Sequence, residues 1–288
     1  MSPITGVLAG IVAAIGWGIG DFFAAKASKQ QGPYRAAFLT VLTGTILVVA
    51  IYTAWVHNFV ISLDKLTALT AISAILILAQ IAFFKALEIG PVGVAATIGA
   101  AYPVVTVPLA ILVFGVGITT LQFLAIIAII LGIFLTSIRW EKRLIKVNQV
   151  KGIVFAALSM LCWGIGFAFL DRAVEGLDWR QVAFFQYTTM LLWQQVLFRL
   201  FLGQRNQTFT SARPSLATTA AATLFLIGNA AFYVGLGTGL AAVVTPLSSA
   251  YPVITVLLAL IFMKERLQIS QFLGIAVVVS GVILLALP

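Results

Sequence analysis

Long runs of apolar residues, separated by short polar segments, follow one another along the whole chain. Each run has about the length, roughly 20 residues, that a helix needs to cross a bilayer. Backbone groups in lipid must bond within their own segment, and the short alternating strands of a barrel are absent, so the runs predict helices. The ten runs are Ile4–Ala27, Tyr34–Val56, Leu63–Leu87, Val92–Phe114, Thr119–Ile138, Gly152–Ala173, Trp179–Leu202, Ser215–Leu236, Leu240–Met263 and Ser270–Leu287.

The longest polar stretch, residues 139–151, divides the chain near its middle and is rich in Lys and Arg. It separates a first unit of five runs, residues 1–138, from a second, residues 152–288. We therefore expect two five-helix units joined by a basic connecting loop.

The two units repeat the same motifs in the same order. Trp17-Gly18-Ile19-Gly20 matches Trp163-Gly164-Ile165-Gly166, and Ala101-Tyr102-Pro103-Val104 matches Ala250-Tyr251-Pro252-Val253. In the same register Gln80 matches Asn229, and Phe84 matches Tyr233. Because five is odd, the second unit must enter the membrane from the opposite side. The sequence thus predicts an all-α integral membrane protein of ten transmembrane helices, built as two inverted five-helix repeats, an architecture typical of transporters.

Composition excludes several other classes of protein. Hydrophobic residues make up 62% of the chain and charged residues 9%, far from the roughly 25% charge of soluble domains. The same numbers exclude a disordered chain. The net charge of +9 is not a nucleic-acid signal, since no basic patch alternates with stacking aromatic residues. With Cys162 and His57 as the sole cysteine and histidine, we predict no disulfide, no metal site, no cofactor and no enzymatic centre.

The basic residues also bear on orientation. All but three of the 17 Lys and Arg residues follow odd-numbered helices; the exceptions are Lys65, Arg172 and Arg180. The positive-inside rule then places both termini outside the cell. The first run lacks a basic leader and is long enough to span, so we expect a transmembrane helix there rather than a secretion signal.

Several motifs resemble the EamA family of the drug/metabolite transporter superfamily, in both halves. They are the Trp-Gly of the first run, the segment Phe84–Gly90, Tyr251-Pro252-Val253, Met263-Lys264-Glu265-Arg266-Leu267, Gln271-Phe272-Leu273-Gly274 and Ser280-Gly281-Val282. The resemblance implies ten helices around a central cavity, import or export of small metabolites, and cytoplasmic termini, against the charge count. The first half departs from this pattern where Val116-Gly117 stands in place of Glu265-Arg266.

The duplicated residues are the first candidates for a binding site. Pro103 and Pro252 are expected to kink their helices and to serve in gating, with Tyr102 and Tyr251 facing a cavity; the alternative is that the kinks only shape packing. Trp17 and Trp163 lie well inside their runs and next to glycines. We expect them to form walls of the cavity; the alternative is that they anchor their helices at the membrane interface.

Polar side chains inside lipid are functional candidates by default. Gln80 and Asn229, with Phe84 and Tyr233 one turn later, form a polar and aromatic stripe, and Gln186 is a further candidate. Their alternative role is hydrogen bonding between helices. Asp21 is the acidic residue that lies well inside an apolar run, so it is a candidate for proton coupling. The alternative is that its carboxylate is solvated at the helix end or paired with a basic neighbour.

Together these features predict a secondary-active transporter of the plasma membrane that works by alternating access. Its substrate is expected to be a small metabolite, first an amino acid or similar zwitterionic, neutral or aromatic solute. Import or export of cationic amines and a non-transporting scaffold or receptor are the alternatives. The expected partners are the solute, the lipid bilayer and a coupling proton or ion, without nucleic acid, and the protein is a monomer or a homodimer.

Overall fold

The computed structural model describes residues 3–55, 61–115, 119–137, 147–174, 176–201, 213–236, 244 and 247–285. Within these ranges the chain is helical apart from short turns, and no β-strand occurs. His57 and most of the predicted connecting loop lie outside the described residues.

The helices follow the apolar runs. Those of the first half are α1 (Pro3–Gln31), α2 (Pro33–Trp55), α3 (Leu63–Ile89), α4 (Val92–Ala100), α5 (Pro103–Phe114) and α6 (Thr120–Ser137). Those of the second half are α7 (Val147–Val174), α8 (Trp179–Phe201), α9 (Leu216–Leu236), α10 (Tyr251–Phe262) and α11 (Ile269–Leu285). The helix α7 begins five residues before the predicted start at Gly152, so the end of the expected loop is helical.

Six apolar helical stretches in the described ranges are long enough to cross a membrane. They are Ile4–Gln31, Pro33–Ala54, Leu63–Ile89, Val92–Phe114, Val150–Val174 and Leu216–Gly235. Shorter apolar helices lie at Phe123–Ile133, Leu247–Phe262 and Ile269–Leu284. Many large apolar side chains, such as Phe123 and Phe272, face outward. An exterior of this kind suits lipid rather than water.

The predicted proline kinks are breaks between helices. The turn at Ala101 and Tyr102 separates α4 from α5, and Pro103 starts the new helix. A turn at Ala250 likewise precedes α10, in which Pro252 occupies the first turn. Proline has no backbone N–H. A residue in the helix interior needs that group for a hydrogen bond, whereas a residue in the first turn does not, because N–H groups there have no partner within the helix. The stretch Val92–Phe114, expected as a single helix, is therefore one apolar span interrupted by a turn at Ala101 and Tyr102.

Helices from opposite halves make the most extensive contacts. The helix α1 packs on α9, α3 packs on α7, and α6 packs on α11. Two matching hydrogen bonds join α1 to α10 and α7 to α5: Thr255 Oγ1 donates to the Gly18 carbonyl at 3.1 Å, and Thr106 Oγ1 donates to the Gly164 carbonyl at 3.0 Å. Each half is thus packed mainly against the other.

Glycines bring α6 and α11 into close contact. A Cβ atom on Gly132 would lie 2.8 Å from the backbone nitrogen of Val278 and 2.9 Å from the Gly274 carbonyl oxygen. A Cβ on Gly281 would lie 3.1 Å from the Ala125 carbonyl oxygen. Small residues permit this approach of two backbones, which is typical of helix pairs in membranes.

Candidate functional site

A cavity of about 120 Å³ lies at the centre of the bundle, between the two halves. That volume is several times what one buried water molecule needs. Helices α1, α2, α3, α7, α8 and α9 line it, together with the turn before α5 and the start of α10. The lining residues are Trp17, Asp21, Thr40, Val41, Leu76, Gln80, Phe83, Phe84, Tyr102, Trp163, Phe167, Gln186, Tyr187, Met190, Phe225, Asn229, Tyr233 and Tyr251.

The structure brings the predicted site residues together around this one cavity. All nine candidates for substrate contact belong to the lining, and so does Asp21. Pro103 and Pro252 do not line the cavity, but each follows a tyrosine that does. That these side chains bind a substrate stays a prediction.

Most lining positions occur in symmetry-related pairs. Trp17 and Trp163 face the cavity from α1 and α7, Gln80 and Asn229 from α3 and α9, and Leu76 and Phe225 one turn earlier on the same two helices. Sequence reasoning missed Leu76 and Phe225, although their spacing of four residues from the two amides places them on the same face. Cavity walls of matching composition therefore come from both halves.

One departure from this symmetry places a carboxyl in the cavity. In the register that aligns Trp17 with Trp163, Asp21 corresponds to Phe167, and both line the cavity. The Asp21 side chain is 3% exposed. Asp21 carries the one carboxyl among the described lining residues, and none of these residues is Lys, Arg or His.

A hydrogen-bonded chain runs along one wall of the cavity. The Trp17 indole N–H donates to Asn229 Oδ1 at 2.9 Å, and Asn229 Nδ2 donates to the Tyr187 hydroxyl oxygen at 3.0 Å. Asn229 thus links α1, α8 and α9, so it has the interhelical role that the sequence left open as the alternative. Tyr187 was missed, because nothing in the sequence of α8 shows which face carries it inward.

Aromatic rings form much of the remaining wall. The Trp17 ring centroid lies 5.2 Å from that of Phe232 and 6.0 Å from that of Tyr251. The Tyr102 and Phe167 centroids are 4.9 Å apart, and the Phe167 centroid lies 6.3 Å from that of Phe232. Packed rings of this kind hold one another in place and offer flat apolar faces to a solute.

Three buried oxygen atoms in the lining have no hydrogen-bond partner among the described residues. They are Asp21 Oδ2, Thr40 Oγ1 and Gln186 Oε1, from α1, α2 and α8. Buried polar atoms are nearly always hydrogen-bonded in native proteins. Oxygens that the protein leaves unsatisfied in a cavity are therefore positions at which a guest can supply donors.

The charged side chains outside the cavity make contacts of their own. Lys85 and Glu88 form an ion pair near the end of α3. The Glu265 carboxylate accepts hydrogen bonds from the backbone N–H groups of Val92 at 2.6 Å and Gly93 at 3.1 Å. This contact fastens the segment after α10 to the start of α4. In the described ranges no group of three or more His, Cys, Asp or Glu side chains could hold a metal ion.

Several known proteins are similar to this chain, and one of them is named as a transporter. An uncharacterized transporter of Archaeoglobus fulgidus is 24% identical over 284 residues, covering 98% of both chains. An uncharacterized protein of Methanocaldococcus jannaschii is 36% identical over 88 residues, which is 31% of this chain and 64% of that protein. A solved crystal structure of a protein has a TM-score of 0.65 and 18% identity, with coverage of 98% of this chain and 96% of the other. The last likeness shows the fold alone.

The family model gives the assignment. The model of the EamA-like transporter family matches the chain twice, over residues 4–138 and 150–287. The two matches together span nearly the whole sequence, and the apolar helices suit a multi-pass membrane protein. The chain therefore belongs to the EamA-like transporter family of the drug/metabolite transporter superfamily.

Proposed function

We propose that this protein is a secondary-active transporter that carries a small organic metabolite across the cell membrane by alternating access. The observation that carries the proposal is the central cavity, whose walls combine equivalent residues from both halves, such as Trp17 with Trp163. A binding site on the boundary between repeats is the arrangement expected when one repeat rocks against the other.

The reciprocal contacts between the halves support the alternating mechanism. The contact of α1 with α10 through Gly18 and Thr255 has its counterpart between α7 and α5, through Gly164 and Thr106. Two equivalent interfaces between the halves can exchange their conformations. In our proposal ten spanning helices, five from each half, form two inverted repeats, and their exchange opens the cavity to each side of the membrane in turn.

The chemistry of the lining limits the class of solute. Aromatic rings and neutral amides surround one carboxyl, and no described lining residue is basic. A polyanion would find no cationic partner there, and burying an unpaired charge is costly. The cavity suits a small neutral, zwitterionic or aromatic solute such as an amino acid, or a cationic amine.

Asp21 is our candidate for coupling, because a carboxyl in the cavity can bind and release a proton as the cavity changes sides. If coupling is the sole role of Asp21, Asp21→Asn should lose uptake driven by a pH gradient and retain counterflow exchange. Gradient-driven uptake by this variant at the wild-type rate would contradict a coupling role.

Flux into liposomes containing the purified protein tests the proposal directly. A panel of labelled amino acids, amines, sugars and nucleosides should include a solute that enters faster than into protein-free liposomes. Leu76→Trp fills the cavity and should abolish this flux, whereas Leu78→Trp, two residues along α3 on its outer face, should preserve it. A folded protein that moves no solute of the panel would favour the scaffold or receptor alternative. Equal flux through both variants would instead contradict passage of the solute through this cavity.

A further inference from the structure

We infer that the solute bound in this cavity is a protonated amine with an apolar body and no carboxylate. The inference rests on the proposed function and narrows its substrate class. It follows from three separate properties of the lining: its charge, its unsatisfied oxygens and its rings.

Charge is the first property. Asp21 is buried and carries the one carboxyl among the described lining residues. An isolated charge in a medium of low polarity is strongly destabilising unless an opposite charge joins it. The protein provides no such partner in the lining, so a cationic guest would complete the pair.

The unsatisfied oxygens are the second property, and they identify the kind of cation. Asp21 Oδ2, Thr40 Oγ1 and Gln186 Oε1 lack partners among the described residues. An ammonium group carries up to three N–H donors and no acceptor. It can therefore satisfy such oxygens, whereas a quaternary ammonium, which has no N–H, leaves each of them unbonded.

The rings are the third property. Trp17, Tyr102, Trp163 and Tyr251 surround the same cavity. Aromatic faces attract cations and pack well against an apolar body.

An amino acid fits this lining less well than the corresponding amine. Its carboxylate would share the cavity with the Asp21 carboxyl and find no basic side chain. Two donors of the lining are already engaged, since Trp17 Nε1 bonds to Asn229 and Asn229 Nδ2 bonds to Tyr187. Like charges in a cavity of low polarity repel, so loss of the carboxylate should strengthen binding.

Three compounds that share one phenyl ring test the inference: phenethylamine, phenylalanine and N,N,N-trimethylphenethylammonium. Binding to the detergent-purified protein is measured by calorimetry, and exchange is measured by counterflow in liposomes. We expect phenethylamine to bind at least tenfold more tightly than either analogue and to show the fastest counterflow. Equal or tighter binding of phenylalanine or of the trimethyl compound would overturn the inference.

Variants locate the binding group. Asp21→Asn should weaken phenethylamine binding at least tenfold and reduce its counterflow, whereas Asp64→Asn, a matched change at an exposed acid of α3, should alter neither. Thr40→Val, which keeps the shape of the side chain, should weaken phenethylamine binding by a smaller factor. This second variant tests the inference even if Asp21→Asn does not fold. Unchanged phenethylamine binding or counterflow in folded Asp21→Asn would overturn the inference and leave Asp21 its coupling role alone.

Different results would contradict the amine inference alone and the transport proposal as a whole. Protein-dependent counterflow of phenylalanine without counterflow of phenethylamine would overturn the amine inference while supporting transport. Absence of protein-dependent flux for every solute of the panel, with a cooperative melt, would overturn both.

Discussion

The contact between Glu265 and the start of α4 should contribute measurably to stability. The first backbone N–H groups of a helix have no partner within the helix. Pro91 precedes α4 and offers no side-chain cap, so the Glu265 carboxylate takes that role from the other half of the chain. Glu265→Ala removes both hydrogen bonds and leaves two N–H groups of a buried helix without an acceptor.

The expected loss of stability in Glu265→Ala follows from the typical free energies of helix caps and of hydrogen bonds to charged groups. Loss of a capping side chain costs about 0.5–2 kcal/mol, and hydrogen bonds to a charged group contribute about 1.5–3 kcal/mol. The contact is partly buried, so water replaces part of the loss, and we expect about 2 kcal/mol. At roughly 2–4 °C per kcal/mol for a chain of this size, the melting temperature should fall by about 5 °C. Glu265→Gln keeps one acceptor without the charge and should lose about half of that.

Tryptophan fluorescence during thermal unfolding in detergent is a suitable assay. Glu88→Ala is the matched control, because Glu88 is also a paired carboxylate but is bonded to the Lys85 side chain three residues away on the same helix. Pairs of that kind contribute at most about 1 kcal/mol. Melting of Glu265→Ala at the wild-type temperature, or an equal loss in Glu88→Ala, would refute the reasoning.

Three further predictions follow from the site, the packing and the charges. Asn229→Ala should lower both uptake and melting temperature, since it leaves Trp17 Nε1 unbonded, whereas Gln80→Ala should lower uptake with unchanged melting; equal effects on melting would count against the structural role of Asn229. Gly132→Ala should destabilise by about 1–3 kcal/mol, because its Cβ would meet α11 backbone, and an unchanged melting curve would contradict that packing. Alkaline phosphatase fused after Pro288 should be active in a bacterium if the charge count is correct, and an inactive but well-expressed fusion would place the termini inside.

The internal repeat made much of the cavity lining predictable, while the binding role of these residues stays a prediction. Residues such as Trp17 and Tyr102 were selected because they recur in the second half, and the structure places both sets around one cavity. Thr40 and Tyr187 were not predictable, since they lie on helices whose inward face depends on packing. The bond between Trp17 and Asn229 joins residues 212 positions apart, and no local pattern indicates it.

The helix boundaries were less predictable for a physical reason. A residue without a backbone N–H fits both a kink within a helix and the first turn of a new helix. The presence of Pro103 and Pro252 in the sequence is therefore compatible with either structure. The start of α7 was placed too late because Asn148, Gln149 and Lys151 resemble a loop. Lys and Gln are good helix formers in water, so polar residues can continue a helix beyond its apolar part.

The packing of α1 on α9 also has a consequence for synthesis. The ribosome releases α1 early, but its main partner follows nearly 200 residues later. Until α9 is inserted, Trp17 lacks its acceptor on Asn229, and the glycine-rich face of α1 meets lipid or the insertion machinery. The first half therefore cannot reach its final packing while the chain is being made. A chain that stops after α8 should be recognised by membrane quality control as unassembled, even though most of its helices are already in place.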